Sequence, residues 1–92
     1  MVRKFGAKQL TEVTHKDIQI LVSYETPVAV FDGTTLYRTE RRYSVTTSKH
    51  ITFYINELIK QGERFDVVTV PQRVIDDARY SGVVDTAAVV TK

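Results

Sequence analysis

The dipeptide Asp32-Gly33 constrains this chain more than any other feature. It separates the apolar run Val28-Ala29-Val30-Phe31 from Thr34-Thr35-Leu36-Tyr37. Asp-Gly between two such runs signals a hairpin, because a type I′ turn needs positive φ at both central residues. A two-residue loop sets Phe31 opposite Thr34 and Ala29 opposite Leu36.

The preceding residues extend this hairpin into a meander. Residues 18–24 alternate, with Ile18, Ile20, Val22 and Tyr24 on one face and Gln19, Leu21 and Ser23 on the other. Period two predicts a half-buried strand. Pro27 cannot donate a ladder hydrogen bond, so it suits a strand edge or a bulge. His15-Lys16-Asp17 is a polar break, preceded by a short strand over 8–14 with Leu10 and Val13 as its apolar members. A further strand is predicted over 42–46, with Tyr43 and Val45 on one side.

The pattern then changes period. Ile51, Tyr54, Ile55, Leu58 and Ile59 form one apolar stripe at helical spacing. Thr47 or Ser48 can cap this helix, since a hydroxyl accepts a hydrogen bond from a free first-turn N–H. Gly62 follows where a left-handed C-cap is wanted, and Phe53 lies off the stripe as a flank contact or an exposed surface. Phe65–Val70 reads as another strand. Pro71 opens a second helix, where no N–H is needed, and Val74, Ile75 and Ala78 lie on its buried side up to about Tyr80. Residues 83–92 are read as a loose tail or an edge strand, and such a strand is one route to a dimer.

Together these elements predict an α+β fold. An antiparallel sheet of four or five strands packs on one main helix (48–61), with a second, shorter helix (71–80) at an end or edge. The chain has 92 residues, of which 42% are hydrophobic and 26% charged, as in an ordinary globular chain rather than a disordered one. It reads as a single domain over 1–92. No apolar stretch reaches the roughly 18–20 residues of a membrane-spanning helix, and no apolar segment follows the basic N-terminal residues as in a secretory signal.

Much chemistry is missing. With no cysteine, disulfides, thiolate catalysis and Cys-based zinc sites are excluded. The histidines are His15 and His50, and neither belongs to a metal-binding motif. No glycine-rich phosphate loop is present, so no cofactor or metal is expected. Ser48 and His50 are close in sequence, but residues two apart on a helix diverge, and they read as a cap followed by a surface histidine. Adjacent Asp76 and Asp77 read as a solvated side of the second helix. The chain reads as no enzyme.

The net charge of +2 hides two basic segments. One holds Arg3, Lys4 and Lys8. The other, over 38–49, holds Arg38, Arg41, Arg42 and Lys49 against Glu40. Arginines beside Tyr37 and Tyr43 suit either a protein interface or phosphates and stacked bases. A third reading is simpler: Tyr43 packs inward and the arginines stay solvated. The candidate interaction surface is Tyr37, Arg38, Arg41, Arg42, Lys49, His50 and Phe53.

Ser23-Tyr24-Glu25-Thr26-Pro27-Val28-Ala29 and Tyr43-Ser44-Val45-Thr46-Thr47-Ser48-Lys49-His50-Ile51 resemble segments of small uncharacterised proteins encoded by tailed bacteriophages. The resemblance spans roughly residues 18–60. It implies a phage source and the cytoplasm of an infected bacterium, but no chemistry and no catalytic residue. The expectation is a non-enzymatic accessory protein that binds a host protein. The alternatives are a nucleic-acid-binding module using both basic segments and a self-associating structural subunit.

Overall fold

The computed structural model of the chain describes residues 2–4, 10–41 and 45–85. The fold is α+β. Strands β1 (Val2–Lys4), β2 (Leu10–His15), β3 (Ile18–Ser23), β4 (Thr26–Phe31) and β5 (Thr35–Thr39) follow one another as a meander. Helix α1 (Val45–Lys60) then leads to β6 (Asp66–Val70), and helix α2 (Gln72–Ser81) follows. The six strands form one sheet in the order β1-β2-β3-β4-β5-β6.

The first five strands pair antiparallel, whereas β6 pairs parallel to β5. The sheet is therefore mixed rather than wholly antiparallel. A parallel neighbour needs a crossover long enough to return the chain to the same end of the sheet, and α1 is that crossover. The strand expected over 42–46 is corrected at Val45 and Thr46, which form the first turn of α1. Residues 42–44 lie outside the described residues.

Both sheet faces are covered, so α2 does not sit at an end or edge. Leu10, Leu21, Ala29, Phe31 and Leu36 pack with Ile51, Tyr54 and Leu58 of α1. Ile18, Ile20, Val30, Tyr37 and Val70 pack with Val74, Ile75 and Ala78 of α2 on the opposite face. This explains why β4 is nearly continuously apolar, since a strand buried on both faces has no polar side to alternate.

The turns refine the predicted hairpins. Phe31 pairs with Leu36 and Ala29 with Arg38, so the connection at Asp32-Gly33 is longer than two residues. Gly33 has positive φ and Asp32 does not. The Asp32 carboxylate instead accepts hydrogen bonds from the Thr34 N–H (2.9 Å) and the Thr35 N–H (2.7 Å). Pro27 pairs with Val22 where the β3–β4 register shifts, the bulge that its missing N–H suits. Tyr24 leaves β3 and enters the turn with φ 58°. Gly62 ends α1 with φ 84°, and the Glu63 N–H reaches back to the Leu58 carbonyl at 3.1 Å.

Candidate interaction site

The inner face of α1 carries polar groups as well as apolar ones. Thr47, His50, Ile51, Tyr54 and Leu58 are its buried residues. Ser23 Oγ on β3 lies 2.7 Å from His50 Nδ1 and 3.3 Å from Thr47 Oγ1. The Tyr54 hydroxyl donates to Glu12 Oε2 at 2.6 Å. These links cross from the sheet to the helix in a low-dielectric interior, where a satisfied polar network fixes the register of one element on another.

The Ser23–His50 pair is the arrangement that comes nearest to nucleophilic chemistry. Its position argues for a structural role. Ser23 is 2% exposed and His50 is 5% exposed, so the pair lies buried between α1 and the sheet. An activated serine needs an accessible oxygen as well as a base. His50 is thus a core residue and not the surface histidine of the sequence reading.

An open groove lies at the edge of the same layer. Arg38, Glu40 and Arg41, at and just beyond the end of β5, line it together with Ser48 and Ile51 of α1 and Val67 and Thr69 of β6. Its volume is about 490 Å³. The β5–β6 register sets Arg38 beside Thr69 and Leu36 beside Val67. Leu36 belongs to the core under α1, so alternation places Arg38, Val67 and Thr69 on that face too. No acidic residue stands in the first turn of α1, so the positive end of the helix dipole adds to the arginine charge. Arg38 is half-buried. Among the described residues, no carboxylate pairs with it.

The predicted surface is therefore only partly assembled. Arg38 and Arg41 share the groove. Lys49 and Phe53 lie along a shallower strip of α1 with Val45, Thr52 and Asn56, joined to the groove through Ser48. Phe53 is half-buried against the core, as a flank contact. Tyr37 is corrected from surface to core, because it points to the α2 face at 7% exposure. Arg42 lies outside the described residues. Val67 and Thr69 escaped the sequence reading because a parallel β6 had not been foreseen; the signal available was the apolar run after Phe65.

The basic segments are also separated. Arg3 and Lys4 belong to β1 at one edge of the sheet, and Arg38 belongs to β5 beside the other. Three strands lie between them, a span of roughly 19 Å at normal strand spacing. Among the described residues no cluster of metal-ligating side chains occurs, and no helix is long and apolar enough to cross a membrane.

The model of a family of unknown function, DUF8033, matches residues 2–76, and the chain belongs to that family. The match takes in all six strands and α1, so the whole groove lies within it. No curated protein and no solved structure matches the chain.

Proposed function

We propose that this chain is a non-enzymatic accessory protein that acts by binding a protein partner through the groove between α1, β5 and β6. The observation that carries this reading is Arg38, half-buried in an open groove and, among the described residues, not ion-paired with Glu40 or any other carboxylate. An arginine whose side chain packs into a groove and is not ion-paired has guanidinium donors to offer, so a partner that supplies an anion gains a charge-assisted contact. The buried polar groups under α1 are engaged with one another, which supports a structural role for them and a binding role for the rim.

A phage source, a host protein as partner and action in the infected cell's cytoplasm belong to the same proposal, and rest on the two segments within residues 18–60. Nucleic acid is the second reading, favoured by Arg38 and Arg41 lining one groove. The distance between the two basic segments supports the protein reading over it, since a continuous basic surface is the usual footprint of phosphate binding.

Affinity capture from bacterial lysate, with and without nuclease, tests the proposal. The expected result is one protein enriched equally in both samples and lost with Arg38→Ala. Enrichment that vanishes with nuclease contradicts it and establishes the nucleic-acid reading.

A further inference from the structure

Among the described residues, nothing pairs with the outer edge of β6, whose one neighbour is β5. The Asp66 N–H donates to the Thr34 carbonyl at 3.1 Å, and the Val70 carbonyl accepts from the Glu40 N–H at 2.8 Å. Backbone polar groups alternate in direction along a strand, so Asp66, Val68 and Val70 face β5. Val67 and Thr69 therefore direct their N–H and C=O groups outward. An edge of this kind is a template for another strand. Natural edges are often blunted by a proline or an inward charge; here Pro71 follows β6, and the strand itself carries neither at its centre.

The side chains on this edge say what the added strand should bring. Val67 and Thr69 stand on the α1 face beside Arg38, and Val67 is 47% exposed. A strand added to β6 lies about 10 Å from β5, a gap that an arginine and a carboxylate side chain close between them. An acidic residue opposite Thr69 would meet the Arg38 guanidinium, with the Ser48 hydroxyl in the same groove. Arg41 and Glu40 line the same groove, so the pairing rests on Arg38 alone.

A second copy of this chain fits less well. Its β6, added antiparallel about Val68, would bring Val67 and Thr69 to the α1 face. Its Asp66 would stand on the face of Val68 and Val70, which pack towards α2. No carboxylate of that strand would reach Arg38. Residues 86–92 of the same chain contain no acidic side chain.

We infer that the outer edge of β6 takes an extended segment of a partner protein as a seventh strand, with an acidic side chain of that segment paired to Arg38. This rests on the protein-binding reading and specifies its site and chemistry. Main-chain hydrogen bonds to Val67 and Thr69 supply affinity, and the Arg38 contact supplies specificity, as in other cases of strand addition.

The test uses the full chain and three blocked seven-residue peptides of alternating Thr and Val, with Glu, Gln or Lys at the centre. Binding is read by calorimetry and by amide shifts. The Glu peptide is expected to bind saturably and to move the Val67 and Thr69 amides, with the Gln and Lys peptides about tenfold weaker or worse. Arg38→Gln should remove the preference for Glu over Gln. Val67→Pro removes one outward N–H without touching the β5 ladder and should abolish binding of all three. Should Val67→Pro fail to fold, the Arg38→Gln comparison decides alone.

Equal affinity for the three peptides overturns the inference. So does binding of none of them, whether or not the chain sediments as a dimer, and so does displacement of the Glu peptide by a DNA or RNA oligonucleotide. Capture of the same nuclease-resistant protein partner by wild type and a folded Val67→Pro variant would overturn the edge assignment while leaving the protein-binding reading intact.

Discussion

Ser23 Oγ and His50 Nδ1 lie 2.7 Å apart and tie the centre of the sheet to the second turn of α1. The bond joins residues 27 positions apart in sequence and is buried on both sides. It fixes α1 against β3, and hence the groove that Ser48 and Arg38 both line.

Ser23→Ala removes the bond at the buried imidazole's Nδ1, and His50→Ala leaves the Ser23 hydroxyl only the longer contact to Thr47 Oγ1 and opens a cavity. Loss of a buried partner costs about 1–3 kcal/mol. Urea unfolding of both single variants and the double variant should show each destabilised. The double should cost less than the two singles added together, because one bond is being removed twice.

Tyr54→Phe removes the donor at 2.6 Å from Glu12 Oε2 while preserving the ring in the core. A hydrogen bond to a charged group contributes about 1.5–3 kcal/mol. For a chain this short each kcal/mol moves Tm by about 4–8 °C. Calorimetry should therefore place the variant well below the wild type. Glu12→Gln keeps an acceptor oxygen for the tyrosine and should lose less.

How far the fold was legible follows from such residues. The alternation from Ile18 to Ser23 identified β3 and its two faces, because Gln19 and Ser23 keep one face more polar than the other although both are covered. His50 was read as surface because it stands beside Ser48. Yet Thr47 and His50 extend the stripe of Ile51, Tyr54 and Leu58 by one turn towards the N-terminus. Val45 and Thr46 favour strands locally, and tertiary packing of the helix overrode that preference. The parallel β5–β6 pair was illegible, since it depends on where the crossover helix lies. With it went the groove, whose β6 wall is non-local. Arg38 was singled out by its charge and by the tyrosines near it in sequence, not by its spatial neighbours on β6 and α1.

Asp32 gives the fold a pH dependence. Burial alone would raise its pKa, but the hydrogen bonds from the Thr34 and Thr35 N–H groups and the Thr34 hydroxyl outweigh it, so the carboxyl sits below its ordinary value of 3.8. A depressed folded pKa contributes stability that is fully present above the unfolded value and lost as pH falls through the folded value. Asp32→Asn should therefore unfold with a weaker dependence on pH below about 4 than the wild type. Chemical unfolding at a series of acidic pH values measures this.

Among the described glycines, Gly82 is the least open to change. Its φ is 77°, and an added Cβ would lie 2.6 Å from Lys16 Cδ and 3.1 Å from His15 Cδ2. His15 Nε2 also lies 3.1 Å from the Tyr80 carbonyl, so this corner joins the β2–β3 turn to the end of α2. Gly82→Ala should cost about 2 kcal/mol through left-handed strain and crowding together. Gly33→Ala, with φ 98° and open space around it, should cost about 1 kcal/mol from backbone strain alone. Thermal unfolding of the two variants side by side checks the order.

Closure of the β6 edge beside Arg38 by a protein partner, as proposed, is read out by amide exchange at Val67 and Thr69. In the free chain both amides should exchange faster than those of Val68 and Val70, which face β5. In complex with the captured protein both should slow by about tenfold or more. Unchanged exchange at Val67 and Thr69, with new protection elsewhere in the chain, would contradict the account.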